Sequence, residues 1–140
     1  MEKRQDCGLL IKQINDKLQK DANNALRSQG ITITQLETLV ELDRAPGGQR
    51  ALKELEQILR VAQSTAAGII ARLEQKGFAE GFGDAGDRRI KRVRITPAGA
   101  ACVCAALHHR VEVEEMLLSG LTETERDSFY TLLKKVRDSL

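Results

Sequence analysis

Aromatic residues are scarce in this 140-residue chain: Phe, Tyr and Trp make up 3% of it, and there is no Trp. Sheets depend on aromatic and β-branched side chains, so this scarcity disfavours a β-sandwich. The apolar residues that are present are mainly Leu, Ile, Val and Ala, which suit packed helices. The composition therefore predicts a mainly helical protein.

Long apolar segments are also missing. No run approaches the roughly 20 residues that a membrane-spanning helix needs, and the first ten residues, MEKRQDCGLL, hold no apolar stretch of the length found in secretory signals. We therefore expect a cytoplasmic protein with no membrane partner. The three cysteines, Cys7, Cys102 and Cys104, follow no framework spacing, so structural disulfides are not expected in a reducing compartment.

The motifs of common enzyme classes are absent from the sequence. It has no glycine-rich phosphate loop, no nucleophile elbow and no metal-hydrolase helix. The hydroxyl groups of Ser64 and Thr65 have no neighbouring base, because both histidines, His108 and His109, lie far along the chain. We predict that the protein is not an enzyme and uses no cofactor.

Six segments have apolar residues at helical spacing and predict six helices. In order they are about residues 7–28, a segment after Gly30, RALKELEQILR, AQSTAAGIIARLEQKG, Pro97 to about Ser119, and a last segment from TETE. The pairs Thr34 with Glu37 and Thr122 with Glu125 match the capping-box pattern. Gly77 is placed to end the fourth helix in a left-handed conformation.

Between the fourth and fifth helices, the segment GDAGDRRIKRVRIT carries five cationic side chains within seven residues, although the net charge of the chain is only +2. Val93 and Ile95 alternate with Arg92 and Arg94, a period of two that predicts a strand. Together with the preceding segment from Phe78, it predicts a β-hairpin with a tip rich in Gly and Asp.

The third and fourth helices are separated only by residues 60–62. This spacing is typical of a helix-turn-helix, whose second helix enters the major groove of DNA. A hairpin directly after that helix would flank the groove. Its cations could then reach phosphates, and one arginine at its tip could enter the minor groove.

These segments resemble the MarR family of winged helix-turn-helix transcriptional regulators. The matching stretches are LKELEQILRVAQSTAAGIIARLEQKGF and DRRIKRVRITPAG, the second containing the family's wing motif D-x-R, a strand and a T-x-x-G helix start. The resemblance implies a mainly α fold with a small β-hairpin wing. It also implies a winged DNA-binding domain at 31–97, an N-terminal dimerisation helix within 1–30 and C-terminal dimerisation helices within 98–140.

The resemblance further implies a homodimer that represses transcription by occupying a pseudo-palindromic site on double-stranded DNA. It also implies that a small-molecule effector releases this dimer from the DNA. The apolar stripes of the terminal helices favour a dimer independently, because a compact winged domain could not cover them. Two recognition helices would then address half-sites about 34 Å apart, one turn of DNA.

The implied DNA contacts lie on the fourth helix and in the hairpin. They are Gln63, Ser64, Thr65, Ala67, Gly68 and Arg72 on the helix, and Arg88, Arg89, Lys91 and Arg92 in the hairpin. By resemblance, Arg89 is the minor-groove arginine and Asp87 orients the wing through an ion pair. The short side chains of TAAG offer little direct base readout, so specificity is expected to come largely from the wing and from DNA shape.

Two departures from the family pattern lie at the turn: Arg60 stands where glycine is common, and Ala62 where a serine cap is usual. Two alternative functions also remain open. Cys102, Cys104, His108 and His109 share one predicted helix and could make the regulator responsive to metal or thiol chemistry, although we predict no metal site. The small residues of the recognition helix are also compatible with a winged domain used for protein contacts.

Overall fold

The computed structural model describes residues 6–140 and contains six α-helices and three short strands. Their bounds are α1 Cys7–Ser28, α2 Ile33–Arg44, β1 Gln49–Ala51, α3 Leu52–Leu59, α4 Gln63–Gln75, β2 Ala79–Gly83, β3 Lys91–Ile95, α5 Pro97–Leu118 and α6 Glu123–Asp138. The mainly α fold with a small β wing is confirmed. Within the described chain, no helix combines the length and the apolar character needed to cross a membrane.

Contacts within the chain group its residues into two compact units, one ending at Leu107 and the other running from His108 to Leu140. The first unit contains α1 to α4, all three strands and the N-terminal part of α5. The second contains the rest of α5 and the whole of α6.

The start of α2 differs from the prediction. Its N-cap is Thr32, whose hydroxyl oxygen accepts a hydrogen bond from the backbone N–H of Gln35 (3.2 Å), while the Gln35 side-chain oxygen accepts one from the Thr32 N–H (3.3 Å). The capping box predicted at Thr34 and Glu37 is therefore wrong by two residues. Thr34 lies inside the helix, and its carbonyl oxygen accepts a bond from the buried hydroxyl of Thr38 (2.8 Å).

Two other predicted helix boundaries are confirmed. Gly77 follows the last residues of α4 with φ at 75°, in the left-handed region where a side chain would be strained. Helix α6 begins at Thr122, whose hydroxyl accepts a hydrogen bond from the Glu125 N–H (3.2 Å) while the Glu125 carboxylate accepts one from the Thr122 N–H (2.9 Å).

The three strands form one antiparallel sheet in the order β1-β3-β2. The predicted hairpin is its β2-β3 part, in which Gly81 pairs with Val93. In strand β1, Arg50 pairs with Val93 on the other side of β3. The predicted third helix, RALKELEQILR, includes Arg50 and Ala51, so the prediction is wrong for these two residues. Three residues are too few to show a period of two, and this strand exists because it pairs with a distant segment.

The core that holds the wing against the helices is aliphatic. Side chains with less than 2% exposure come from α2, α3, α4 and β3: Leu39, Leu42, Leu55, Ile70, Leu73 and Val93. Each contributes roughly 1.5–3 kcal/mol when fully buried. Because α4 is held by Ile70 and Leu73, its opposite face keeps a fixed position relative to the sheet.

Helix α5 starts in close contact with the beginning of the wing. A Cβ atom at Gly99 would overlap the carbonyl oxygen of Phe78 and press on the Ile95 side chain, so only glycine fits there. The hydroxyl oxygen of Thr96 accepts a hydrogen bond from the Gly99 N–H (3.2 Å) and donates one to the carbonyl of Gly77 (2.6 Å). These contacts fix where β3 ends.

The terminal helices α1 and α6 contain no buried residue. On α1, Leu9, Leu10, Ile11 and Ile14 are 40–50% exposed, and on α6, Tyr130, Leu132, Leu133 and Val136 are 43–63% exposed. Their apolar stripes therefore remain largely uncovered within the single chain from residue 6 to residue 140.

Candidate nucleic-acid interface

Helix α4 has one face in the core and one face open to solvent. Ala66, Ile70 and Leu73 are buried, as the periodicity requires. Of the six residues predicted to contact DNA on this helix, Ala67 is half-buried and the other five are exposed: Gln63, Ser64, Thr65, Gly68 and Arg72. The accessible face is thus small and polar, with one cation near its C-terminal end.

The turn before α4 carries both departures that the sequence showed. Arg60 adopts φ 55° and ψ 46°, a left-handed conformation that costs a residue other than glycine roughly 1–2 kcal/mol. Ala62 is the N-cap and makes no side-chain capping bond. As a result, the first turn of α4 lacks the cap that Ser, Thr, Asp or Asn would supply.

At the wing tip, Asp87 and Arg89 form a two-pronged ion pair. The Arg89 Nε donates to Asp87 Oδ1 (3.1 Å) and Nη2 donates to Oδ2 (3.2 Å), while the Arg89 backbone N–H also donates to Oδ1 (3.0 Å). The side-chain and backbone hydrogen bonds from Arg89 lower the pKa of Asp87. The carboxylate is therefore charged at neutral pH, and any stability from the pair is lost only as the pH falls through that lowered pKa.

This ion pair orients a guanidinium group that is itself open to solvent, because the Arg89 side chain is 91% exposed. An arginine held in this way has lost part of its rotamer freedom before it meets a ligand. The other donors of the guanidinium remain available to an acceptor.

Two wing cations are engaged with neighbouring strands. The Arg92 Nε donates to the Gln49 Oε1 (3.1 Å), and its Nη1 lies 3.8 Å from the Asp84 Oδ1, with the side chain only 26% exposed. Arg94 donates to Glu80 Oε1 (3.1 Å) and lies over the Phe82 ring. These contacts link the three strands and hold the loop at the wing tip.

The other two wing cations are more accessible. Arg88 is exposed. The Lys91 Nζ lies 4.0 Å from the Glu74 Oε1 at an exposed position, a separation at which surface pairs contribute little. The structure therefore leaves Arg88, Arg89 and Lys91 facing solvent, while Arg92 is mainly a structural contact of the sheet.

A cleft of about 310 Å³ opens between α3, the start of α4 and the wing. Its lining includes three predicted contacts, Gln63, Arg89 and Lys91, and one residue that was not predicted, Lys53. Lys53 carries no motif signal of its own, and its position becomes notable only once the wing is placed beside α3.

Cys102, one of the residues considered for metal or thiol chemistry, is held in a buried contact. Cys102 is 7% exposed, and its thiol donates to the Gln29 Oε1 (2.9 Å). Burial raises the pKa of this thiol and the charge of Lys76 opposes that rise, so the reactive thiolate is disfavoured. In the part of the chain that the structure describes, no three His, Cys, Asp or Glu side chains are grouped to hold a metal ion.

Known proteins share both the sequence pattern and this architecture. The sequence profile of the MarR family matches residues 29–90. The multiple antibiotic resistance protein MarR of Salmonella typhimurium is 33% identical over 131 residues, which cover 92% of this chain and 89% of that protein. The HTH-type transcriptional repressor NicR of Pseudomonas putida is 34% identical over 110 residues, covering 78% of this chain and 68% of that one.

Solved structures extend the similarity to the fold. The YusO protein from Bacillus subtilis superposes with a TM-score of 0.88 at 25% identity, covering 95% of this chain and 93% of that one. The MepR protein of S. aureus, crystallised as a complex with DNA, superposes with a TM-score of 0.85 at 26% identity, covering 94% and 98%. The similarity therefore includes the terminal helices as well as the wing.

Proposed function

The chain belongs to the MarR family of winged-helix transcriptional regulators, and from this premise we propose that it is a homodimeric repressor that occupies a pseudo-palindromic operator and is released by a small-molecule effector. As a member of this family it is a regulator and not an enzyme, in agreement with the sequence prediction. Repression is favoured because relatives such as NicR of Pseudomonas putida and MprA of Escherichia coli are named repressors.

The observation that carries DNA binding is the combination of the exposed α4 face with the oriented, solvent-facing Arg89. A helix with one free face fits the major groove, and a guanidinium at a hairpin tip suits the narrow minor groove next to it. Crystallisation of the similar MepR protein with DNA supports the same use of this fold.

The roles of the predicted contacts follow from their surroundings. The exposed face of α4 would contact bases and phosphates through Gln63, Ser64, Thr65, Ala67 and Gly68. Arg72, near the C-terminal end of α4, would lie closer to the DNA backbone. Arg88 and Lys91 would neutralise phosphates. Arg92 would act chiefly by holding the wing in shape through Gln49 and Asp84, and Asp87 by orienting Arg89.

Dimerisation is supported by the uncovered stripes of α1 and α6, which a second copy of the chain would bury. The dimer would present two α4 helices to half-sites about 34 Å apart. An effector releases DNA only if it binds more tightly to a dimer geometry whose helices no longer match that spacing.

Selection of bound sequences from random duplex DNA tests the proposal. We expect recovery of a pseudo-palindrome, with an affinity that falls steeply as salt rises, by a slope of about −0.9 for each phosphate neutralised. Arg89→Ala should weaken binding sharply. Arg89→Lys serves as the matched control for charge, because it retains the cation but loses the two-pronged pair with Asp87.

A flat salt response, together with unchanged behaviour of Arg89→Ala, would contradict the proposal. That result would favour the winged domain as a protein-contact module. Enrichment of sequences without two-fold symmetry would contradict the dimeric arrangement but not DNA binding.

A further inference from the structure

The cleft beside the recognition helix has a cationic lining drawn from separate elements of the fold. Lys53 comes from α3, Arg89 from the loop between β2 and β3, and Lys91 from β3. Three cations and one acidic side chain, Glu56, line this small concave region, and the excess of positive charge creates a local positive potential. Such a cleft favours an anion.

Lys53 is the cation of this cleft that lacks a compensating charge. Arg89 is paired with Asp87 at 3.1 Å, and Lys91 is 4.0 Å from Glu74. Lys53 is exposed, and its ammonium group forms no ion pair with a carboxylate among residues 6–140. The nearby Glu54 carboxylate is used elsewhere, since it accepts bonds from Arg50 and from the Ala51 N–H.

The course of DNA across this face identifies the anion. If α4 lies in the major groove and the wing tip in the adjacent minor groove, the strand that separates those grooves must run between them. The cleft occupies that position, because Gln63 at the start of α4 and Arg89 at the wing tip both line it. The first helix of a helix-turn-helix also lies across the backbone in known complexes.

We propose that this cleft seats one backbone phosphate of each operator half-site, and that Lys53 is a phosphate-binding residue outside the recognition helix and the wing. The inference rests on the proposed function, because it requires DNA on this face. The volume of about 310 Å³ is at the lower end of the range for ligand sites, about 300–1,000 Å³, which suits one group of a longer polymer. Ile90, 45% exposed, also lines the cleft and offers an apolar contact for deoxyribose.

Glu56 is the acidic side chain in the lining. It is half-buried and shares the cleft with the proposed phosphate, and like charges repel. Removal of its charge should therefore strengthen DNA binding, an effect that a purely structural role for α3 does not produce.

The test uses the full chain and a duplex recovered by selection, with affinity measured across a salt series. Lys53→Gln should bind roughly tenfold more weakly at moderate salt. The salt slope should fall by about 0.9 for each subunit. Specific and non-specific duplexes should lose affinity alike, because phosphate contacts carry no sequence information.

Three further variants control the measurement. Lys53→Arg keeps the charge and should retain the wild-type slope. Lys20→Gln removes one charge from an exposed position on α1 and should change neither slope nor affinity appreciably. Glu56→Gln should bind more tightly than wild type. Thermal unfolding of each variant checks that the fold is intact, and substitution at the exposed Lys53 should leave it so.

Methylphosphonate substitution, one position at a time, identifies the phosphate. Wild type should lose affinity at every phosphate it contacts, including one position of each half-site near the α4 start, and only at that position should Lys53→Gln show no further loss. A wild-type slope for Lys53→Gln, or an additional loss at every position, would overturn the inference. If Arg89→Ala still weakens binding in that case, the proposed function stands and only the role of Lys53 is wrong; if wild type binds no duplex, both fail.

Discussion

The winged unit, residues 31–97, and the terminal helices α1 and α6 differ in how far the single chain buries their apolar side chains. Leu39, Leu55 and Val93 of the winged unit are fully covered by the chain itself, at 0% exposure. Helices α1 and α6 bury no residue, although most of the stability of a helix in a protein comes from packing of its apolar face. The difference indicates that the winged unit is stabilised by its own contacts, whereas the apolar stripes of the terminal helices are left for the second chain of the proposed dimer to cover.

The largest effect is expected from a cavity in the winged unit. Leu39→Ala should lower the free energy of unfolding by about 2–5 kcal/mol, because the removed side chain is completely enclosed. Urea unfolding followed by circular dichroism measures this loss. A cost below about 1 kcal/mol would mean that the winged core is not the rigid support described above.

A smaller effect, on association, is expected from the terminal helices. Leu132 on α6 is 58% exposed in the single chain. Burying this exposed part in a dimer would contribute about 1 kcal/mol per copy. Leu132→Ala should weaken dimerisation by about 30-fold, for about 2 kcal/mol from two copies. Sedimentation equilibrium measures it, with Ile58→Ala on α3, 41% exposed, as the matched control that leaves the dimer unchanged.

A dimer that tolerates Leu132→Ala but dissociates with Ile58→Ala would reverse the comparison. It would place the interface on the winged unit.

Within the winged unit, two residues with a left-handed backbone, Arg60 and Gly77, can be compared. Arg60→Gly should raise the free energy of unfolding by about 1 kcal/mol, because glycine adopts the left-handed conformation without steric cost. Gly77→Ala should lower it by a similar amount, since φ is 75° there. Thermal unfolding measures both changes, and dimerisation should respond to neither. If both substitutions raised, or both lowered, the free energy of unfolding, backbone strain would not be the main effect at these two positions.

The smallest effect is expected at Gly68. An added Cβ would meet no atom of the chain within 4 Å, so Gly68→Ala should stabilise α4 by about 0.5–1 kcal/mol. DNA affinity should nevertheless fall, because the methyl group would stand on the face proposed to contact DNA. Fluorescence anisotropy with a selected duplex provides the measurement. If Gly68→Ala were more stable but bound DNA as tightly as wild type, Gly68 would not lie in the DNA interface.

Features encoded by local patterns were predictable from the sequence. The helices, the β2-β3 hairpin and the left-handed Gly77 each follow from neighbouring residues. The start of α2 was not predictable in this way, because Thr32 with Gln35 and Thr34 with Glu37 both satisfy the same spacing rule. The choice depends on burial of Gln35 at 4% exposure and on the Lys76 ammonium, which donates to its side-chain oxygen (2.6 Å) from 41 residues away.

In the candidate site, too, contacts between sequence neighbours were predictable and contacts between distant residues were not. The ion pair of Asp87 with Arg89 could be expected from a motif two residues apart, and it is present. The engagement of Arg92 with Gln49 depends on the pairing of β1 with β3, which no local pattern revealed. The position of Lys53 beside the wing could not be predicted for the same physical reason, because the wing residues around it are distant in sequence.

The stoichiometry of the complex with a selected duplex, measured by analytical ultracentrifugation at low and moderate salt, tests the central claim most directly. Two chains should bind each duplex, joined in the absence of DNA, and the complex should dissociate as salt rises. A monomeric free protein, a single bound chain, or no complex even at low ionic strength would contradict the proposal that two winged units bind one operator together.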